Sequence, residues 1–408
     1  MLKKIFSVSY YADFSRYFDA INKNMGDKNI KWVDISLHLS SYIYNKTHMI
    51  DSIYLPRDVR KYNKEDRKID KNIMIDICRH YGADKSNLNI CNIYYNYIYD
   101  LLVKEMPDLI VLSGDERLPI KIFKNIANKL SINVLHFEQG PCGTTILDPI
   151  GVNANCSFRK IDGLDKNALK KDKLLLNKKE KWKYSKFYRI IDVIYENMPF
   201  FHYDELMTYK LKIKNNIISE TKKVSGIEKK RFILLVLQVP EDVNMLCHSP
   251  FFSNHFDIVK SVYQNIPSNY KLIVREHPLY KNKYETQLYD FIKNNQNIEL
   301  DSTSNLKDAI CESSLVIVNN STVGIEAMLY GQTIVVLGNS YYDLYTYKFS
   351  GDNLDKLIIE ALNKPKDKDL VSQRLNFLFN NYFLSGHFKD KDLTNLTEHV
   401  DRINELLL

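Results

Sequence analysis

Four short stretches carry side chains whose types and spacing can do chemistry. "LQVPEDVNM" (237–245) leaves an apolar run and sets Asp242 in a loop just beyond Gln238 and Pro240. A carboxylate at a strand end can act as nucleophile or general base. "VREHPLY" (274–280) sets His277 after a second apolar run, with Pro278 fixing the backbone behind it. Arg275, two residues back, falls on the same side of the strand, and the pair suits a phosphate. "NNSTVGIEAM" (319–328) leaves a third run through Asn320, Ser321 and Thr322 and enters a helix with Gly324 and Glu326 in its first turns. Such a helix start offers N–H groups, hydroxyls and a positive dipole end to an anion. Gly324 would allow close backbone approach, and Glu326 could accept hydrogen bonds from a ribose diol. In "HFEQGPCGTTILDPIGVNANCSF" (136–158), Glu138 ends a fourth run, while Asp115 of "SGDER" ends its neighbour.

Each stretch has an ordinary structural reading too. Glu241 and Asp242 can cap a turn, and His277 can be a solvated strand terminus. Ser321 or Thr322 with a nearby Glu makes a plain helix cap, and 136–158 can be a turn with solvated acids. Convergence favours a site, because all four stretches project from the C-terminal ends of strands, where open α/β sheets bind ligands.

The elements that must position them follow from periodicity. "YNYIYDLLVKEM" (95–106) has helical spacing, "PDLIVLSGDE" (107–116) reads as a buried strand, 118–131 as a helix and "INVLHFEQG" (132–140) as the next strand. That is a βαβ unit with a parallel sheet. Residues 164–230 are Lys-rich and helical in pattern, a connecting segment whose basic face is solvated or drawn to anionic headgroups. From 231 the pattern alternates again: strands at 231–239, 270–276, near Ile298, at 314–318 and at 333–338, with helices at 254–265, 281–294, near 305–312 and from 323. From 353 the chain reads as helical to its end. The expected fold class is therefore α/β of the GT-B type, two Rossmann-like domains with parallel sheets facing a central cleft, plus C-terminal helices. The expected boundaries are 1–163, 164–230, 231–352 and 353–408.

Composition narrows the function classes. At 408 residues two domains are expected, and 45% hydrophobic with 26% charged residues is globular composition. No apolar window is long enough to span a membrane, and "MLKKIFSVSYYADF" does not resemble a cleaved signal peptide. Six cysteines (Cys78, Cys91, Cys142, Cys156, Cys247, Cys311) lack CxxC spacing, which argues against a zinc site or disulfide framework and fits a reducing cytosol. A net charge of +7 without recognition motifs gives no reason to expect nucleic acid as partner. No DxD motif of the metal-dependent kind is read, so neither metal nor cofactor is expected beyond a nucleotide-sugar donor.

Taken in order, "FEQGP", "DPIGVNANCS", "LQVPED", "VREHP", "NSTVGIEAMLYGQTIVVLG" and "YYD" resemble the bacterial capsular polysaccharide biosynthesis proteins that act as β-Kdo transferases, over roughly 105–345. That family is similar to sialyltransferases in using a CMP-activated acid sugar and a His-Pro motif. The resemblance implies a retaining glycosyltransferase that moves Kdo from CMP-Kdo to a glycolipid or saccharide acceptor. It implies Asp242 as nucleophile, His277 and Ser321 on the CMP phosphate, Glu326 on the ribose, and Glu138 as acid/base or acceptor-positioning group. Gln238, Arg275, Pro278, Asn320, Thr322 and Gly324 would line the donor side, and Asp115, Gln139, Asp148 and Asn153 the acceptor side. This chain has Gln139 where some members have Asp, "PCGTT" where some carry an early Arg, and Arg275 where Lys is frequent. The implied location is cytoplasmic, peripheral on the inner face of the membrane, with polysaccharide export machinery as a partner. The rivals are the same scaffold with another CMP-ulosonic acid, a pentofuranose or a CDP-alditol donor, or a catalytically inactive assembly subunit. Intact Asp242, His277, Ser321 and Glu326 argue against the inactive subunit.

Overall fold

A computed structural model of the chain describes residues 2–27, 29–63, 66–71, 73–74, 85–169, 180–196, 231–240 and 242–407. They fall into two compact units, the first taking those within 2–152, 180–196 and 382–407, the second those within 153–169 and 231–381.

The first unit is built on β1 (Lys3–Ser9), β2 (Ile30–Ser36), β3 (Ser52–Tyr54), β4 (Leu109–Ser113), β5 (Asn133–Gln139) and β6 (Thr144–Asp148), in the order β6-β5-β4-β1-β2-β3. The strands from β5 to β3 are parallel, and β6 runs antiparallel to β5. Alternation sorts their apolar side chains onto two buried faces. Phe6, Val8, Ile110 and Leu112 lie on one, and Ile5, Leu109, Val111 and Leu135 on the other. One buried carboxylate, Asp34 on β2, ties this region together. It accepts from Ser7 Oγ (2.6 Å), Ser9 Oγ (2.7 Å), Ser15 Oγ (2.8 Å) and Asn45 Nδ2 (2.5 Å). Those four donors offset the cost of burying it.

The second unit holds β7 (Phe232–Val236), β8 (Lys271–Arg275), β9 (Ile298–Asp301), β10 (Leu315–Val318), β11 (Ile334–Val336) and β12 (Tyr347–Lys348), all parallel, in the order β12-β11-β10-β7-β8-β9. The connections step from β7 to β8 and β9, then restart on the other side of β7 with β10. Continuous apolar runs such as "FILLV" and "LVIV" suit these strands because both sheet faces are covered.

The α/β class with two Rossmann-like, parallel-sheet units stands as expected, but the chain path through them differs. Residues 153–169 pack with the second unit, because the fully buried Arg374 donates to the carbonyls of Phe158 (3.2 Å) and Ile161 (2.7 Å). Arg159 also pairs with Asp343 at 2.7 Å. Within the expected connecting segment, 170–179 and 197–230 lie outside the described residues, while the helix Ser185–Glu196 packs on the first unit. The C-terminal part is not helical throughout. After the helices Leu354–Asn363 and Lys368–Asn381, β13 (Phe383–Ser385) joins the first sheet antiparallel to β6, followed by the helix Thr397–Leu407. The apolar pair Phe383 and Leu384 drives that return by burying itself in the first unit.

Candidate functional site

The strand order of the second unit creates a switch point between β7 and β10, where the loops leaving the two strands diverge. Ligands of open α/β sheets bind at such points. Here they are the loop 237–242 and the turn 319–322.

A hydrogen-bonded chain of buried groups fixes this region. Asn320 N donates to Gln238 Oε1 (3.4 Å), and Gln238 O accepts from Tyr284 Oη (3.0 Å). The same phenol accepts from His277 N (3.0 Å), so one buried hydroxyl joins the ends of β7 and β8. Pro278 opens the 3-10 turn Pro278–Tyr280, and Leu279 N donates to His277 Nδ1 (3.3 Å). With Nδ1 accepting, the neutral ring carries its proton on Nε2. Burial pushes the imidazole below its ordinary value of 6.5, and the Asp242 carboxylate opposes this. At neutral pH His277 is therefore a neutral Nε2–H donor, set beside Asp242, rather than an imidazolium. Asp242 precedes the helix Val243–Cys247, and its carbonyl accepts from Met245 N and Leu246 N, both at 2.9 Å. Glu241 lies outside the described residues.

Across the switch point, Ser321 Oγ accepts from Val323 N (3.3 Å), while Gly324 N and Ile325 N turn back onto the Ser321 and Thr322 carbonyls, each at 3.0 Å. The cap reading is thus correct for the hydroxyl as an acceptor. The expected row of free helix N–H groups is shorter than the sequence suggests. Ser321 N, Thr322 N and the hydroxyls of Ser321 and Thr322 donate to no partner among the described residues. Glu326 is half-buried, its carboxylate has no hydrogen-bond or ion-pair partner among the described residues, and burial pushes it above the usual carboxylate value. An unpartnered, partly buried carboxylate is costly, and a plain cap does not require it.

Three expected donor-side residues have structural duties instead. Arg275 pairs with the buried Asp301 (2.6 Å) and donates to Ser304 Oγ and Ser304 O (both 2.8 Å), so its charge is already matched. Asn320 is buried, with Nδ2 on the carbonyls of Asn244 (2.8 Å) and His248 (3.1 Å), which ties the two loops together. Gly324 is glycine because of a side chain: a Cβ there would lie 2.5 Å from Tyr342 Oη and 2.6 Å from the ring. That phenol also donates to Ser321 O, so Tyr342 buttresses the turn from behind. Thr322 is exposed.

In the first unit, Glu138 is half-buried at the end of β5, with Oε1 accepting from Gln139 N (2.9 Å), and Gln139 is exposed. Asp115 and Asp148 are struts. Asp115 Oδ2 accepts from Val152 N (3.0 Å), and Asp148 Oδ1 accepts from Ile150 N (2.8 Å) and Gly151 N (3.1 Å). Both are buried. Asn153 opens a short 3-10 turn with φ at 53° and belongs to the second unit. Sequence reading passes over a cluster on the same sheet edge. Arg117 lies over Tyr10 (4.7 Å), Arg189 over Tyr11 (4.5 Å), and Tyr11 packs on His38 (5.1 Å). Burial, then Arg189 and Arg117, hold His38 at about 3, so it stays neutral. Glu138 is the carboxylate that acts on Arg117. The signal was positional, since Tyr10, His38 and Arg117 each follow a strand within a few residues.

Residues 108–388 match the family model described as capsule polysaccharide biosynthesis protein. Protein FixF of Sinorhizobium fredii is 27% identical over 164 residues, which cover 39% of this chain and 40% of FixF. A UDP-N-acetylglucosamine 2-epimerase homolog of Methanococcus maripaludis is 25% identical over 311 residues, 65% of this chain and 78% of that protein. Among solved structures, the beta Kdo 2,7 transferase of Thermosulfurimonas dismutans KpsC aligns with 91% of this chain and 90% of its own, at 14% identity and a TM-score of 0.42.

Proposed function

The chain belongs to the capsule polysaccharide biosynthesis protein family, and on that footing we propose that it is a retaining glycosyltransferase that moves Kdo, in β linkage, from CMP-Kdo to a glycolipid or saccharide acceptor. The observation that carries the reading is the pairing across the switch point of Asp242 beside His277 with a serine turn and an unpartnered Glu326. His277 Nε2–H and the donors of Ser321 and Thr322 suit the CMP phosphate, and Glu326 suits the ribose diol.

In this reading an Asp242 oxygen bonds to the anomeric carbon as the bond to phosphate breaks, and CMP leaves with the electron pair. The acceptor hydroxyl then attacks that carbon, the ester to Asp242 breaks, and the hydroxyl proton passes to a base. Two inversions give net retention. Charge grows on the departing phosphate, where fixed donors stabilise it, so no metal is invoked. Glu138 belongs to the acceptor side of the same reading, as acid/base or positioning group. A lipid-borne acceptor would bring the protein to the inner face of a membrane and to export partners. No helix among the described residues is long and apolar enough to cross one.

The test is titration calorimetry with CMP, beside a thermal-shift screen of CMP-, CDP-, UDP- and GDP-sugars. CMP should bind, and His277→Ala should weaken it. Selective stabilisation by UDP- or GDP-sugars, or full CMP affinity in His277→Ala, would overturn the donor assignment.

A further inference from the structure

The helix Ser185–Glu196 is inside out. Within 185–194 the residue it buries most deeply is Asp192, whose carboxylate accepts from Ser40 N (3.0 Å) and Ser40 Oγ (2.6 Å). Ser185 Oγ donates to Asp13 (2.8 Å), and Tyr188 stacks on Trp182 at 5.5 Å. Its polar groups therefore fasten it to the first unit. Facing outward are Phe187, Ile190, Val193 and Ile194, exposed by 61%, 57%, 47% and 56%. Their spacing puts them on one side of a helix. A soluble surface helix shows the opposite pattern, so this face is built to be covered.

The surrounding charge says by what. Lys183 and Lys186 are exposed beside Phe187, with Lys183 Nζ 4.9 Å from the Tyr184 ring. Within 180–194 the two carboxylates are engaged: Asp192 is buried, and Glu180 pairs with Lys391 at 2.6 Å. Protein interfaces are depleted in lysine at their cores, whereas helices lying in a membrane interface combine Phe, Ile and Val with Lys, Trp and Tyr at the rim. We propose that Phe187, Ile190, Val193 and Ile194, rimmed by Lys183 and Lys186, seat the protein on a membrane surface bearing anionic headgroups. This names the surface behind the membrane association proposed above, and it does not depend on which donor the second unit takes.

The test is cosedimentation of the full chain with vesicles of phosphatidylcholine alone and of phosphatidylcholine mixed with phosphatidylglycerol. Light scattering and thermal melts are run on the same samples. The wild type should bind the mixed vesicles more tightly. Lys183→Gln/Lys186→Gln should weaken that binding, about fivefold per cation removed. Phe187→Ser/Ile190→Ser should weaken it at least about tenfold. Both variants should keep CMP affinity, so failure here is separable from failure of the donor reading. Absent vesicle binding, or equal binding by all three proteins, overturns the proposal. So does a wild-type dimer lost in Phe187→Ser/Ile190→Ser without vesicle binding, which would assign the face to a second copy. A lowered melting point in that variant without vesicle binding would assign it to this chain's own residues and overturn it equally.

Discussion

Tyr284→Phe deletes a single oxygen and should disturb the candidate site more than any other change of that size. The phenol is 1% exposed and stands between His277 N and Gln238 O, at 3.0 Å from each. Phenylalanine keeps the ring against His255, 5.1 Å away, but orphans a partly buried N–H and a buried carbonyl. Each orphaned group costs about 1–3 kcal/mol, so the second unit should lose about 2–6 kcal/mol, a shift of the urea midpoint at unchanged slope. Because the phenol sets where β8 ends relative to β7, CMP affinity should fall as well. Tyr284 is a positioning residue, so the diagnostic readout is affinity measured well below the unfolding transition. A loss under about 0.5 kcal/mol, with CMP affinity unchanged, would refute both the network and its role.

Gly324→Ala should cost about 1–3 kcal/mol through the clash with Tyr342, and a double-mutant cycle with Tyr342→Ala should remove most of that cost. Additive losses would show that the tyrosine is not the reason for the glycine. Glu326→Gln should leave stability unchanged or raised, since burial already disfavours the charged carboxyl, yet weaken CMP at least about tenfold. Stability lost with affinity intact would make Glu326 structural. His277 sits below 6.5 in the free protein, and a bound phosphate should raise it. CMP binding near pH 6.5 should therefore take up protons, and the affinity should rise as pH falls through that window. Calorimetry in buffers of different ionisation heat checks this, and identical proton uptake by His277→Gln would exclude the imidazole.

The second unit was the legible half. Its strands are unbroken apolar runs between turn residues, so 231–239, 270–276, 314–318 and 333–338 bracket β7, β8, β10 and β11 closely. The first hundred residues hid three strands of the other sheet because β1 and β2 carry buried Ser7, Ser9, Asp34 and Ser36, which break the apolar signal. Only the Asp34 network, whose donors Ser7, Ser15 and Asn45 lie 27, 19 and 11 positions away on separate elements, makes those polar residues tolerable. At the site, types and strand ends were readable but partners were not. Arg275 looked like a phosphate ligand until Asp301, on the next strand, claimed it. Gly324 looked like a ligand cradle until Tyr342, far along the chain, filled the space behind it. The "YYD" motif owes its place to the same packing, with Tyr342 under the serine turn and Asp343 holding Arg159 and Lys348.

In the proposed mechanism Asp242 carries the sugar between donor and acceptor. Intact-mass spectrometry of the protein with CMP-Kdo and no acceptor tests it most directly. A mass gain of one Kdo unit is expected on the wild type and none on Asp242→Asn, which should also lose transfer. Full transfer activity in Asp242→Asn, or an adduct of the same mass on that variant, would contradict it.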